Sequence, residues 1–132
     1  MPYTLVDLET PVPLVDLDRL AHNLDRMAAY AALHQLGLRP HVKTHKSTRV
    51  AVEQLRLGAV GLTCATPREL QVMREVTDDL YLAHAPLGPK LLRVLDASEG
   101  ATLRVAVDSL HAIETMGTTC RLRDRVVDVV VE

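Results

Sequence analysis

A chain of 132 residues, 48% hydrophobic and 24% charged, is long enough for one domain with its own core, and this composition excludes a disordered segment. A formal net charge of −2 gives no electrostatic case for nucleic acid, and three tyrosines with no Phe or Trp give no base-stacking surface. No apolar run is long enough to span a membrane, residues 1–7 lack the charged and apolar regions of a signal peptide, and Cys64 and Cys120 stand too far apart for metal-type pairing, so a reducing cytoplasm is the expected location.

In chain order, residues 12–17 predict a strand. Asp18 is the expected cap of the next helix, whose inner face is Leu20, Leu24, Met27, Ala28 and Ala31 and whose stop is Gly37. Residues 38–45 predict a second strand, because Pro40 disfavours helix and Val42 and Thr44 are β-branched. Ser47 or Thr48 caps a helix that ends near Gly58, and residues 59–65 form the following strand. Thr66-Pro67-Arg68-Glu69 is a helix start, with Thr66 as cap, Pro67 at the first helical position and Glu69 completing a capping box. Residues 79–85 predict a strand and 89 to about 98 a helix. Residues 102–108 predict a further strand, and Ser109 caps a helix weakened by Gly117-Thr118-Thr119. Residues 126–131 are a final strand. Regular alternation of Val- and Leu-rich strands with helices indicates an α/β fold with a parallel sheet covered by helices. The pattern leaves an open doubly wound sheet and part of a barrel both open.

Residues 39–47, Arg-Pro-His-Val-Lys-Thr-His-Lys-Ser, hold most of the candidate chemistry. Strand alternation puts His41, Lys43 and His45 on one face and Val42, Thr44 and Lys46 on the other. A lysine between two imidazoles, with a second ammonium nearby, is pushed toward the neutral amine, which attacks aldehydes to form a Schiff base. The alternative is an exposed basic strand end. His84 and Asp108 stand at strand ends, the first as a site-facing candidate or a loop histidine, the second as an ordinary helix entry. Thr66 and Glu69 are accounted for by capping, and Cys64 by packing as a small hydrophobe. His22, His34 and His111 sit in helical segments that face solvent.

Three segments recur in a telling order: Thr10-Pro11-Val12-Pro13-Leu14-Val15-Asp16-Leu17-Asp18 with Asn23, then Pro40-His41-Val42-Lys43-Thr44-His45-Lys46, then Gly58-Ala59-Val60-Gly61-Leu62-Thr63-Cys64-Ala65-Thr66 with Glu69. From about Thr10 to Glu132 the chain resembles the N-terminal portion of the D-threonine aldolase and D-serine dehydratase-like family, among the alanine-racemase-like, fold-type III pyridoxal-phosphate enzymes. The resemblance implies that Lys43 is the lysine that binds pyridoxal 5′-phosphate, with Lys46 not covalently engaged. His41 and His45 are the expected cofactor contacts or proton relays; two histidines are too few to hold a metal, and no metal ligand is expected in this chain. The implied fold is a partial (βα)8 TIM-type barrel of the alanine racemase N-terminal type, one incomplete domain over residues 1–132, with residues 12–17 associating with a second, β-rich domain. Five barrel strands are expected, at Lys43, Cys64, Leu82, Val105 and Val129, against eight in a closed barrel.

Glu132 matches the first residue of the family's Glu-x-Asp-x-Gly-x-x-Arg-x-Gly segment. The chain is therefore expected to stop partway round the barrel, without the later phosphate-binding loops or the C-terminal β domain that carries the family's divalent-metal ligands. The implied activity is that of a lyase on a small D-amino acid, by aldol cleavage of a D-3-hydroxy-amino acid or dehydration of D-serine, with little turnover by this chain alone. A racemase of the same superfamily is the second enzyme reading, weaker because the lysine motif has the His-x-Lys-x-His-Lys form. A non-catalytic, truncated cofactor-binding chain is the third. The expected partners are the D-amino acid and either further copies of the chain or a missing C-terminal portion, with no nucleic acid and no membrane.

Overall fold

Four short parallel strands, each led into by a helix, organise the computed structural model, which describes residues 4–132; the first three residues of the N-terminal stretch considered above lie outside it. In chain order the regular elements are a 3-10 turn at Leu5–Asp7, α1 (Leu17–Leu33), α2 (Thr48–Arg56), β1 (Leu62–Cys64), α3 (Pro67–Met73), β2 (Asp79–Leu82), α4 (Pro89–Ala97), β3 (Thr102–Val107), α5 (Leu110–Leu122) and β4 (Asp128–Val131). The strands lie in sequential order, β1-β2-β3-β4, and every pairing is parallel. Cys64, Leu82, Val105 and Val129 are aligned across all four strands, so four of the five expected barrel strands form one continuous sheet in register. The result is a partial, barrel-like α/β fold.

The N-terminal third departs from expectation. Residues 12–16 form no strand among the described residues, and Leu17, expected to end one, opens α1. The segment is exposed and has no partner strand to supply a ladder. The cap is Asp16 rather than Asp18: the Asp16 side chain accepts from the Arg19 N–H at 3.0 Å, and Asp18 becomes an acidic residue in the first turn, favourable to the helix dipole. Leu20, Leu24, Ala28 and Ala31 form the less exposed face as expected, whereas Met27 is exposed. The stop comes before Gly37. Gln35 takes the left-handed conformation (φ 54°), Gln35 N–H donates to the Ala32 carbonyl and Leu36 N–H to that of Ala31, a Schellman motif built without glycine.

The lysine segment is the second departure. Residues 38–42 run beside the start of β1 through Val60 N–H to Leu38 O (2.9 Å), Thr63 N–H to Pro40 O (2.8 Å) and Val42 N–H to Thr63 O (2.9 Å). Only one parallel bridge results, His41 to Thr63, in place of a strand over residues 38–45. The chain then turns, closed by Lys46 N–H to Val42 O at 2.8 Å with Lys46 at φ 48°. Two imidazoles end the pairing: His41 Nδ1 accepts the Lys43 N–H (3.2 Å) and His45 Nδ1 accepts the Ser47 N–H (3.0 Å). Such local side-chain acceptors take the donors that a ladder needs.

Downstream the expected elements hold. Ser47, Thr66 and Ser109 each accept a backbone N–H at the start of a helix. α5 passes straight through Gly117-Thr118-Thr119, because Ala112, Met116 and Cys120 are buried at four-residue spacing and that packing outweighs weak propensity. The core lies between the sheet and its helices: Leu62, Leu80, Leu82, Leu103, Val105 and Val107 meet Leu70, Met73, Leu91, Val94, Leu95 and Met116. Alternate strand residues carry polar groups on the opposite face, where Asp79 bridges Arg39 (2.8 Å) and Arg104 (2.6 Å), and Arg104 approaches Asp128 at 3.8 Å.

Candidate functional site

Parallel strands deliver their C-terminal ends to one side of the sheet, where open α/β folds and barrels bind ligands. The turn carrying Lys43 follows the His41 bridge on that side, His84 follows β2 and Asp108 follows β3. Lys43, His84 and Asp108 are all exposed.

The lysine turn is built on Val42, which is fully buried and tied to β1. Because strand alternation ends at His41, Lys43 is not enclosed between two imidazoles; its side chain is exposed at the turn. His41 stays beside it through its ring nitrogen: with Nδ1 accepting the Lys43 N–H, the proton of the neutral ring is on Nε2. Burial and the Lys43 ammonium push the His41 pKa below the usual imidazole value, and Glu69 opposes them. His45 is oriented differently. Its Nδ1 is occupied by the Ser47 N–H, and its Nε2 is buried beside Gln54 with no hydrogen bond of acceptable geometry, as is Gln54 Oε1. Burial lowers its pKa as well. No hydrogen bond joins His45 to Lys43 among the described residues; it braces the entry to α2.

Glu69 is the residue that the sequence reading undervalued. Its N–H does donate to Thr66 Oγ1 (3.1 Å), the expected cap. Its carboxylate, 7% exposed, reaches past Thr66 to the Ala65 N–H (2.7 Å) and pairs with Lys46 Nζ. Burial raises its pKa, but Lys46, the Ala65 N–H and His41 together bring it below the usual carboxyl value. Nothing local signals this pair; parallel packing alone brings the turn after Lys43 against the start of α3.

Tyr81, on the polar face of β2, donates to Glu132 Oε1 at 3.0 Å, and burial and that carboxylate raise its pKa. Cys64 is fully buried and burial pushes its thiol up to about 12, so it packs as a small hydrophobe. Among the described residues no group of three or more His, Cys, Asp or Glu is arranged to hold a metal ion, and no helix is long and apolar enough to cross a membrane.

The sequence model of one family, described as alanine racemase, N-terminal domain, matches residues 15–132. The chain belongs to that family. Within it, the domain is 32% identical over 130 residues to a D-threonine aldolase of Arthrobacter sp., a match covering 97% of this chain and 34% of that protein. It is 34% identical over 131 residues to the D-threo-3-hydroxyaspartate dehydratase of Delftia sp. (strain HT23), covering 98% of this chain and 34% of the relative. The crystal structure of D-threonine aldolase from Filomicrobium marinum superposes with a TM-score of 0.88 at 32% identity, over 96% of this chain and 35% of that one. The structure of the Delftia dehydratase does so with a TM-score of 0.85 at 34% identity, over 97% and 34%. The domain thus spans about a third of the length of the curated relatives it matches. These matches bear out the family read from the lysine motif and the partial-barrel fold.

Proposed function

We propose that the domain is the lysine-bearing portion of a pyridoxal 5′-phosphate-dependent lyase acting on a small D-amino acid with a 3-hydroxyl group. The observation that supports this most is the exposed Lys43 amine, set beside a weakly basic His41 at the C-terminal end of the sheet, in a chain whose relatives are named for D-threonine and 3-hydroxy-D-aspartate. The residues fit the aldehyde end of the cofactor: a primary amine on an exposed turn, with the weakly basic His41 beside it. Barrels of this kind commonly draw the phosphate site from loops after later strands.

The cofactor, when bound, withdraws the electrons of a bond broken at the substrate α-carbon. Lys43 attaches it, and the buried Val42 fixes where Lys43 stands. His41 accepts the Lys43 N–H at Nδ1, which leaves the proton of its neutral ring on Nε2; His45 accepts the N–H of Ser47, the cap of α2. Specificity for the amino acid and any divalent metal are assigned to segments beyond this chain, which on its own is expected to turn over D-threonine or D-serine negligibly. Self-association and a cytoplasmic location are part of the same proposal; the two free thiols, Cys64 and Cys120, suit a reducing compartment.

Borohydride reduction in the presence of pyridoxal phosphate, followed by peptide mapping, tests the assignment. Label is expected on Lys43. Label on Lys46 with none on Lys43 sinks it.

A further inference from the structure

A buried carboxylate must be paired, and Glu69 is paired in a way that helix capping alone does not require. One oxygen accepts the Ala65 N–H just past β1; the other holds Lys46 at the far end of the lysine turn. Lys46 is otherwise a mostly exposed side chain, 64% accessible, on a backbone in the left-handed region at φ 48°. A non-glycine residue keeps that conformation where its surroundings hold it. The other end of the turn is Val42, fixed by the core and by Thr63. Lys43 lies between the two anchors, and its backbone N–H donates to His41 Nδ1.

We propose that Glu69 is a positioning residue that, by clamping Lys46, fixes the Val42-to-Lys46 turn in the shape that presents the Lys43 amine. Its functional meaning rests on the reading of Lys43 as the cofactor lysine; the clamp itself does not.

Three variants of the full chain separate clamping from capping. Glu69→Gln keeps an oxygen for the Ala65 N–H and loses the charge that holds Lys46. Lys46→Met leaves the start of α3 untouched, and so carries the test if Glu69→Gln folds poorly. Lys46→Arg keeps a cation for Glu69. Trace acetylation with acetic anhydride, mapped by mass spectrometry, reads the clamp without any cofactor. Lys46 is expected to react more slowly than exposed Lys90 in the parent chain and as fast as Lys90 in Glu69→Gln. Equal reactivity of Lys46 and Lys90 in the parent overturns the proposal. Borohydride trapping of pyridoxal phosphate then reads the consequence. Trapping at Lys43 is expected to slow about tenfold in Glu69→Gln and Lys46→Met, because a small misplacement of a reacting group is costly, and to recover in Lys46→Arg. Unchanged trapping in the first two, or no recovery in the third, overturns the proposal while leaving Lys43 as the cofactor lysine. Absence of trapping at Lys43 in the parent removes the functional reading instead, and acetylation alone then decides the clamp.

Discussion

His41 and His45 are both less basic than a free imidazole, chiefly because burial disfavours their charged forms. Glu69 and Asp79 are more acidic than free carboxyls: burial would raise both, but Lys46 overrides it at Glu69 and Arg39 with Arg104 at Asp79. All four shifts have the same sign for stability. Where the folded pKa lies below the unfolded one, the unfolded chain binds the proton more readily, so stability is lost as pH falls through that interval. For the histidines the loss begins near the usual 6.5 and continues down to their folded values; for the carboxyls it begins near 4.5 and 3.8. The urea midpoint is therefore expected to be flat from neutrality up to the alkaline range, where burial raises the pKa of Cys64, Cys120 and Tyr81 and stability falls again, and to fall in two stages on acidification. His41→Gln with His45→Gln should remove the first stage and keep the second. A first stage that survives both substitutions assigns it to other groups. At this scale the sequence was legible where a local motif fixes a contact, as at the Thr66 cap, and illegible where a pair is made by topology. Lys46 and Glu69 are 23 residues apart and meet only because parallel strands bring their turns to one end.

At the scale of elements, βα alternation was readable because each strand from β1 to β4 is a short run that holds Val or Leu, and three of the helices between or before them open on side-chain caps. Thr66, Ser47 and Ser109 cap as their chemistry requires, and the row Cys64, Leu82, Val105, Val129 aligns as expected. The failures have a common cause. Residues 12–16 and 43–45 have strand-like composition, but nothing among the described residues pairs with them, and β propensity without a partner does not make a strand. Thr66→Ala should remove the Glu69 N–H acceptor and cost about 1 kcal/mol by urea denaturation. Leu82→Ala, in the middle of the sheet and fully buried, should cost about 2–5 kcal/mol, the range for a cavity left in a packed core. A loss at Leu82 no greater than that at Thr66 would show that the sheet is not the stable centre of the domain. Gly61 marks a further constraint: a Cβ there would stand 2.6 Å from the Asp79 carbonyl, so even alanine forces β1 and β2 apart.

Across the whole molecule the two edges of the sheet are unlike. The β1 edge is partly covered by residues 38–42, which satisfy backbone groups of Val60 and Thr63. The β4 edge pairs only with β3 among the described residues, and all four of its residues are exposed. Val129, Val130 and Val131 are 48%, 39% and 72% accessible, an apolar row with free N–H and C=O groups along one side. The adjoining surface adds Ile113 and Val126, both exposed. Charged side chains, proline or a bulge commonly protect such an edge; here Asp128 is the single charge within the strand, and it leans toward Arg104. A parallel sheet is ordinarily covered on both faces, which adds to the drive for a partner. The 132-residue chain in isolation is therefore expected to associate, with a sedimentation coefficient that rises with concentration. Val131→Lys puts a charge on the most exposed position of the strand at little cost to packing, and should return the chain toward monomer with its far-ultraviolet circular dichroism unchanged. A parent chain that stays monomeric at every concentration would mean that this edge is not sticky. Association unaltered by Val131→Lys would move the contact to another surface, with the exposed Leu17, Tyr30 and Leu33 of α1 as the next to test.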